Sequence, residues 1–323
     1  MVGTEHDNVQ VTVITPAYNA ATHIAETIAS VRRQTFSNFR YVIIDDGSTD
    51  ETVAVAEQAA AGDPRIQVQT IAHAGMYSAR NRALSQADTE FISFVDADDV
   101  WQPTFLEALV AALLAAEPNV GGVFCRSRMI DAAGRPFRRL GSAGWAPPGR
   151  YDLARMLETV CPPGNCSCLV VRRRCFEEVG RFDDGLRCVA DFDLWLRICQ
   201  NSSAPFFEAI AQPLVSYRQH GRNFSALNRR QVEIEFRLLF GRYVGDLERA
   251  AQGRAALGFA AYAMRNSDRA EVRHWLALAR QAAWRDHFRN PQGVVALLGR
   301  IFGMTAVNLL LGVGKRLYRE SQT

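Results

Sequence analysis

The chain has 323 residues, 48% of them hydrophobic, which is enough for a sizeable core, and its formal charge is +3. Residues 222–323 carry 17 Lys and Arg against 8 Asp and Glu, so the front of the chain is acidic, which argues against nucleic acid as its partner. Seven cysteines, an odd count without a Cys-x-x-Cys pair, support neither a disulfide framework nor a zinc site and fit a reducing cytosol. The start, MVGTEHDNVQ, has no basic region followed by an apolar one, so no signal peptide is expected.

Residues 9–15 form a β-rich run that ends at Pro16. Ile24, Ile28 and Val31 then recur at helical spacing up to Gln34. Residues 41–44 are a short apolar run, consistent with a strand buried on both faces, and it stops at Asp45-Asp46-Gly47. Ser48 and Glu51 fit a capping box that opens a helix over 49–61. A strand over 66–71, a helix over 78–86 and a strand over 91–95 follow, the last stopped by Asp96-Ala97-Asp98-Asp99. Pro103 starts a helix running to 116. This alternation implies an α/β fold with a mostly parallel sheet covered by helices. In such sheets ligands gather beyond the carboxyl ends of the strands. Three polar clusters fall there, at 16–19, 45–48 and 96–99, and the pattern predicts that they meet in space.

Residues 119–221 are less regular, with strand-like runs over 120–127 and 167–171 and a short helix over 191–199. From Arg229 onward the chain reads as helix. Residues 294–314 are long enough to span a bilayer and hold one charge, Arg300. Four glycines, Arg300 and Asn308 weaken that reading, and Lys315, Arg316 and Arg319 follow directly. An interfacial helix suits the composition better than a span, with core packing as the alternative.

Two carboxylates just past a strand, Asp96 and Asp98, can hold a hard divalent cation whose shell is completed by phosphate. Loops are also rich in Asp for turn reasons alone. In Asp45-Asp46-Gly47-Ser48 a strand–helix junction accounts for Gly47 and Ser48. It does not require two acids, one of which can accept a hydrogen bond from a nucleobase N–H. Tyr18 offers an aromatic face on which a base can stack, or it simply packs.

Together these segments resemble the family 2 glycosyltransferases, which have the GT-A fold. VTVITPAYN, VIIDDGSTDET and FISFVDADD carry the resemblance, and it continues in GMYSARNRAL, VGRFDDGL, ADFDLWLR and SYRQHGRNFS, over residues 9–225. It implies a catalytic domain over 1–225 and a helical C-terminal region over 226–323. Pro16, Tyr18 and Asn19 would border the donor, with Tyr18 stacking on the base. Asp46 would contact the base, Asp45 would support that loop, and Arg80 would lie near the phosphates. Asp98 would bind Mn2+ or Mg2+, with Asp96 beside the ribose and the metal, and His220 would approach the metal or the diphosphate. Asp191 would be the general base, with Asp193 as its rival, and Trp195 would pack or line the acceptor cleft. The residue before the base is often Glu in this family and is Ala190 here, and His73 replaces a frequent Asn.

The resemblance implies an inverting transfer of sugar from a nucleoside-diphosphate sugar, a UDP-sugar first, to an acceptor hydroxyl. A glycan or a lipid-linked acceptor at the inner face of the membrane suits the basic tail, in a cytoplasmic or peripheral protein. A sugar-nucleotide nucleotidyltransferase would want a Gly-rich phosphate loop after the first strand, which is missing. A non-catalytic nucleotide-sugar binder would be favoured if Asp98 or Asp191 were missing.

Overall fold

A computed structural model of the chain describes residues 11–137, 147–221, 223–265 and 269–281. The first four strands are β1 (Val11–Ala17), β2 (Phe39–Asp45), β3 (Ile66–Thr70) and β4 (Phe91–Phe94). They are parallel, in the order β3-β2-β1-β4. The crossovers are α1 (Ile24–Arg32), α2 (Thr52–Ala60) and α3 (Met76–Leu84). All of β4 and all but one residue of both β1 and β2 are buried, which is why these runs are apolar rather than alternating. Register sets the ends of β1, β2 and β3 level, Ala17 pairing with Asp45 and Asp45 with Thr70, while β4 ends earlier, with Phe94 opposite Ile14. The three polar clusters therefore leave one edge of the sheet together.

Among the described residues the sheet has nine strands, and beyond β4 it becomes mixed. After β5 (Val100–Trp101), α4 (Phe105–Ala115) and β6 (Val120–Ile130) come β7 (Gly149–Tyr151), α5 (Leu153–Thr159) and β8 (Leu169–Arg172). β8 lies antiparallel between β4 and β6. Then follow α6 (Arg173–Val179), α7 (Ala190–Asn201) and β9 (Phe206–Arg218). β9 runs parallel to β6 and antiparallel to β5 and β7, so it ties the short strands to the sheet. Trp101 stacks on Phe105 at 4.0 Å between ring centres, inside a core that continues through Ile28, Leu109 and Val123. Each such large apolar side chain contributes about 1.5–3 kcal/mol by leaving water.

The expected capping box does not form. Helix α2 begins at Thr52 and no side chain caps it from Glu51. The Asp50 carboxylate instead accepts the Thr52 N–H at 3.0 Å, and Ser48 Oγ accepts the Asn19 N–H at 2.9 Å. The hydroxyl of Ser48 is spent on joining two loops rather than on opening a helix.

The remaining helices are α8 (Phe224–Leu227), α9 (Arg229–Tyr243), α10 (Arg249–Arg265) and α11 (Arg269–Gln281). The chain divides into two compact units, Met1–Leu153 with Cys161–Leu239, and Ala154–Val160 with Phe240–Thr323. In the second, a Cβ on Gly258 would meet the Glu158 carbonyl oxygen at 2.1 Å, so α10 approaches α5 only because that residue is glycine. Phe240, Phe259 and Trp275 cluster there, with Phe259 stacked on Trp275 at 4.8 Å. Among the described residues no helix is long and apolar enough to cross a membrane. The expected interfacial segment, 294–314, lies outside them.

Candidate active site

The β2 end carries two buried acids. Asp45 accepts the Ser48 N–H at 3.1 Å through one oxygen, and its other oxygen meets no donor among the described residues. Asp46 accepts the N–H groups of Ala74 and Gly75, both at 2.8 Å, and His73 Nδ1 lies 2.8 Å from the same carboxylate. Gly75 has φ +98°, the left-handed region that lets consecutive amides turn toward one anion. Asp46 is thus covered and engaged by the loop between β3 and α3, not an open acceptor. His73 stacks on Tyr18 at 4.4 Å, and Tyr18 remains half exposed. Pro16 is partly buried just before Tyr18. The Asn19 side-chain carbonyl accepts the Thr49 N–H at 2.9 Å, so Asn19 staples the β1 loop to the β2 loop.

Helix α3 starts directly after Gly75 and joins these loops to the rest of the site. Its buried Arg80 donates to Asp96 Oδ1 at 2.5 Å, and its guanidinium lies over the rings of Tyr77 and Phe182. One turn earlier, the Tyr77 hydroxyl donates to Asp191 Oδ1 at 3.4 Å.

Past β4 the acids differ in state. Asp99 is fully buried and accepts from the Arg218 N–H, the Asn165 amide and the Ser167 hydroxyl, at 2.6–3.0 Å. Burial, then the charges of Asp98 and Asp96, push its carboxyl well above the ordinary range. Asp98 is partly exposed and lies 2.9 Å from His220 Nε2. Burial and Asp96 raise its carboxyl too, with His220 pulling the other way. Arg218 is the strut beneath. Its guanidinium donates to the Asp98 and Ala132 carbonyls at 2.9 and 3.2 Å and to Glu26 at 2.6 Å. The His23 ring packs on His220 at 5.4 Å.

Asp191 stands in the first turn of α7, where the Phe192 N–H donates to Oδ1 at 2.8 Å, and the Cys166 sulfur is 3.9 Å from Oδ2. Burial raises its carboxyl and Arg80 opposes that shift. Asp193 is fully buried and held by Arg197 at 2.7 Å, which removes it as a rival base. Trp195 is also fully buried, packed edge-on against Phe182 and Phe207, and lines no cleft. Helix α7 is surrounded on most sides, so its apolar residues belong to the core.

Asp46, Asp96 and Asp191 are therefore linked through α3, while Asp98 pairs with His220. Sequence reasoning missed Tyr77, Asp99, Cys166 and Arg218. Three of these stand in quoted motifs (GMYSARNRAL, FISFVDADD, SYRQH), but their partners are 66 to 119 residues away for Asp99 and 114 for Tyr77.

Among the described residues no three His, Cys, Asp or Glu side chains converge to hold a metal unaided. Two crowded carboxylates beside an imidazole still fit a divalent ion whose other positions are filled by phosphate oxygens.

A half-parallel sheet with its acidic strand ends, a buried arginine and a helix-borne carboxylate defines the GT-A glycosyltransferase fold. Solved structures agree. S. aureus TarS 1-349 in complex with UDP-GlcNAc has a TM-score of 0.58 at 18% identity, over 95% of this chain and 92% of that one. The mannosyltransferase PcManGT from Pyrobaculum calidifontis, in complex with GDP-Man and Mn2+, has a TM-score of 0.52 at 19% identity, over 93% and 86%. The chain belongs to glycosyl transferase family 2, whose sequence profile matches residues 12–180. An uncharacterized glycosyltransferase of Rickettsia felis is 26% identical over 215 residues, 67% of this chain but only 35% of that protein. The putative teichuronic acid biosynthesis glycosyltransferase TuaG of Bacillus subtilis is 40% identical over 98 residues, 30% of this chain and 39% of that one.

Proposed function

We propose that the chain transfers a sugar from a nucleoside-diphosphate sugar to an acceptor hydroxyl with inversion, Asp191 being the general base. The observation that carries this is α3, whose Tyr77 and Arg80 tie Asp191 and Asp96 to the loop that encloses Asp46. The exposed Tyr18–His73 pair offers a face on which the base stacks. The donor is a UDP-sugar first, since TarS was solved with UDP-GlcNAc, with a GDP-sugar as the alternative from PcManGT. The acceptor oxygen attacks the anomeric carbon as its proton passes to Asp191. The bond to the diphosphate breaks and the nucleoside diphosphate leaves with the electron pair. Tyr77 and the Phe192 N–H hold one oxygen of Asp191, and the other, 3.9 Å from the Cys166 sulfur, is the one that takes the proton. Arg80 carries positive charge toward the phosphates.

Asp98, Asp96 and His220 would hold Mn2+ or Mg2+. When bound, such a cation compensates the negative charge that develops on the leaving diphosphate.

Asp191→Asn is expected to lower turnover by about 10²–10⁴-fold, the usual contribution of a positioned base. Calorimetric titration with UDP should show donor binding unchanged. Protonation removes the base, so the acid limb of wild-type kcat/KM is expected above the ordinary carboxylate value of about 4. Full turnover by Asp191→Asn would refute the assignment.

The site residues fall within 1–225, and the described part of 226–323, as far as Gln281, is mostly helical. The acceptor is a cell-surface glycan or glycolipid precursor met at the inner face of the membrane, where the basic tail faces anionic lipid. TuaG, named for teichuronic acid biosynthesis, supports that direction. Deleting 292–323 is expected to move the protein from the membrane fraction to the supernatant, and an unchanged distribution would count against docking.

A further inference from the structure

Helix α7 begins without a cap of its own. Its N-cap residue is Val189, which has no polar side chain, and no side-chain bond closes the turn. Ala190, the first residue of the helix, is buried and apolar. Three successive amides lead into this helix and would be orphans in a closed interior. One carboxylate meets all three. Glu235, on α9 and 2% exposed, accepts the Arg187 N–H at 2.9 Å, the Cys188 N–H at 2.8 Å and the Val189 N–H at 3.0 Å. Gln231, one turn earlier on α9, donates to the same carboxylate at 2.8 Å. The adjacent rings repeat the contact, since Phe236 packs edge-on against Phe192 at 6.1 Å, and Phe192 follows Asp191 directly.

We infer that Glu235 is a positioning residue for the general base, a cap supplied from a distant helix that fixes where the first turn of α7 carries Asp191. The inference rests on the reading of Asp191 as base. The physical reason is local. A carboxylate that accepts three N–H groups makes charge-assisted bonds, stronger than neutral ones. Asp191 is two residues beyond the last of those amides, so freedom at 187–189 becomes freedom of its carboxylate. Misplacement of a reacting group by about 1 Å can cost on the order of 10²-fold in rate. Glu235 touches no reacting atom, and its effect passes through the backbone alone.

The test uses the full chain with Mn2+ and a panel of UDP-GlcNAc, UDP-glucose, UDP-galactose and GDP-mannose, water serving as acceptor. Glu235→Gln keeps one acceptor oxygen and Glu235→Ala keeps none. The expected order of kcat is wild type, then Glu235→Gln lower by about 10-fold, then Glu235→Ala lower by about 100-fold. The affinity for UDP should stay within about twofold. Gln231→Ala, which leaves the carboxylate in place, should cost less than either. Hydrogen exchange at 187–189 should quicken in the same order, while exchange in β4 is unchanged, and this arm reads the cap even if no donor is turned over. Unaltered exchange at 187–189 overturns the inference. So does a fall in kcat matched by an equal fall in UDP affinity, which would mark general loosening. Asp191→Asn separates the two readings. If it keeps full turnover the base assignment falls, whereas the exchange result still judges the cap.

Discussion

The loops after β2 and β4 both carry consecutive acids at the end of a buried parallel strand, yet they are electrically unlike. After β2, Asp46 is surrounded by donors: two backbone amides and His73. After β4, Asp96, Asp98 and Asp99 crowd one another, and the carboxyls of Asp98 and Asp99 are pushed upward by burial and by their neighbours. A carboxylate satisfied by amides organises a loop, whereas one crowded by other acids wants a cation. Strand-end position alone does not separate these roles. The nearest donors do.

Two substitutions break the comparison in opposite directions. The larger effect is expected for Asp98→Asn. Turnover should fall by about 10²–10³-fold, the usual result of losing one charge-stabilising contact at a leaving group. Metal-free thermal stability should hold or rise, because the amide carries no charge against Asp96. A large drop in metal-free melting temperature with turnover intact would reverse the roles of the two loops. The smaller effect is expected for Asp46→Asn. Its new N–H group would face an amide donor, costing about 1–3 kcal/mol in denaturant unfolding. His73→Ala leaves both amides on Asp46 and should cost less than Asp46→Asn in the same measurement. If His73→Ala costs more, the imidazole rather than the amides holds the loop.

The parallel half of the fold is legible in the sequence because β1, β2 and β4 are buried on both faces. Runs such as 41–44 and 91–95 can be little else. β9 is not legible. Its buried and open positions alternate at first and lose the period after Ile210, it contains Pro213, and its register against β6 shifts three times. The site follows the same division. Asp98, His220 and Asp191 stand out by type and motif, and the structure links Asp98 to His220 directly. Trp195 reads as a cleft residue because an aromatic beside a catalytic helix turn has no local mark of burial. The closed state of Asp46 depends on Ala74 and Gly75, 28 and 29 residues on, and the three amides that Glu235 holds are 46 to 48 residues away. None of these distances is written in a local pattern.

Arg218 has a consequence for how the protein is made. Its backbone N–H reaches Asp99 across 119 residues and its guanidinium reaches the Asp98 carbonyl across 120. At about 5–20 residues per second, a ribosome that has just released the 96–99 turn needs roughly 6–24 s more to deliver the arginine. During that interval the nascent chain can already pair β1 through β4, yet its acidic turn has no keystone. Birth of the sheet and birth of the catalyst are thus separate events in the life of each molecule.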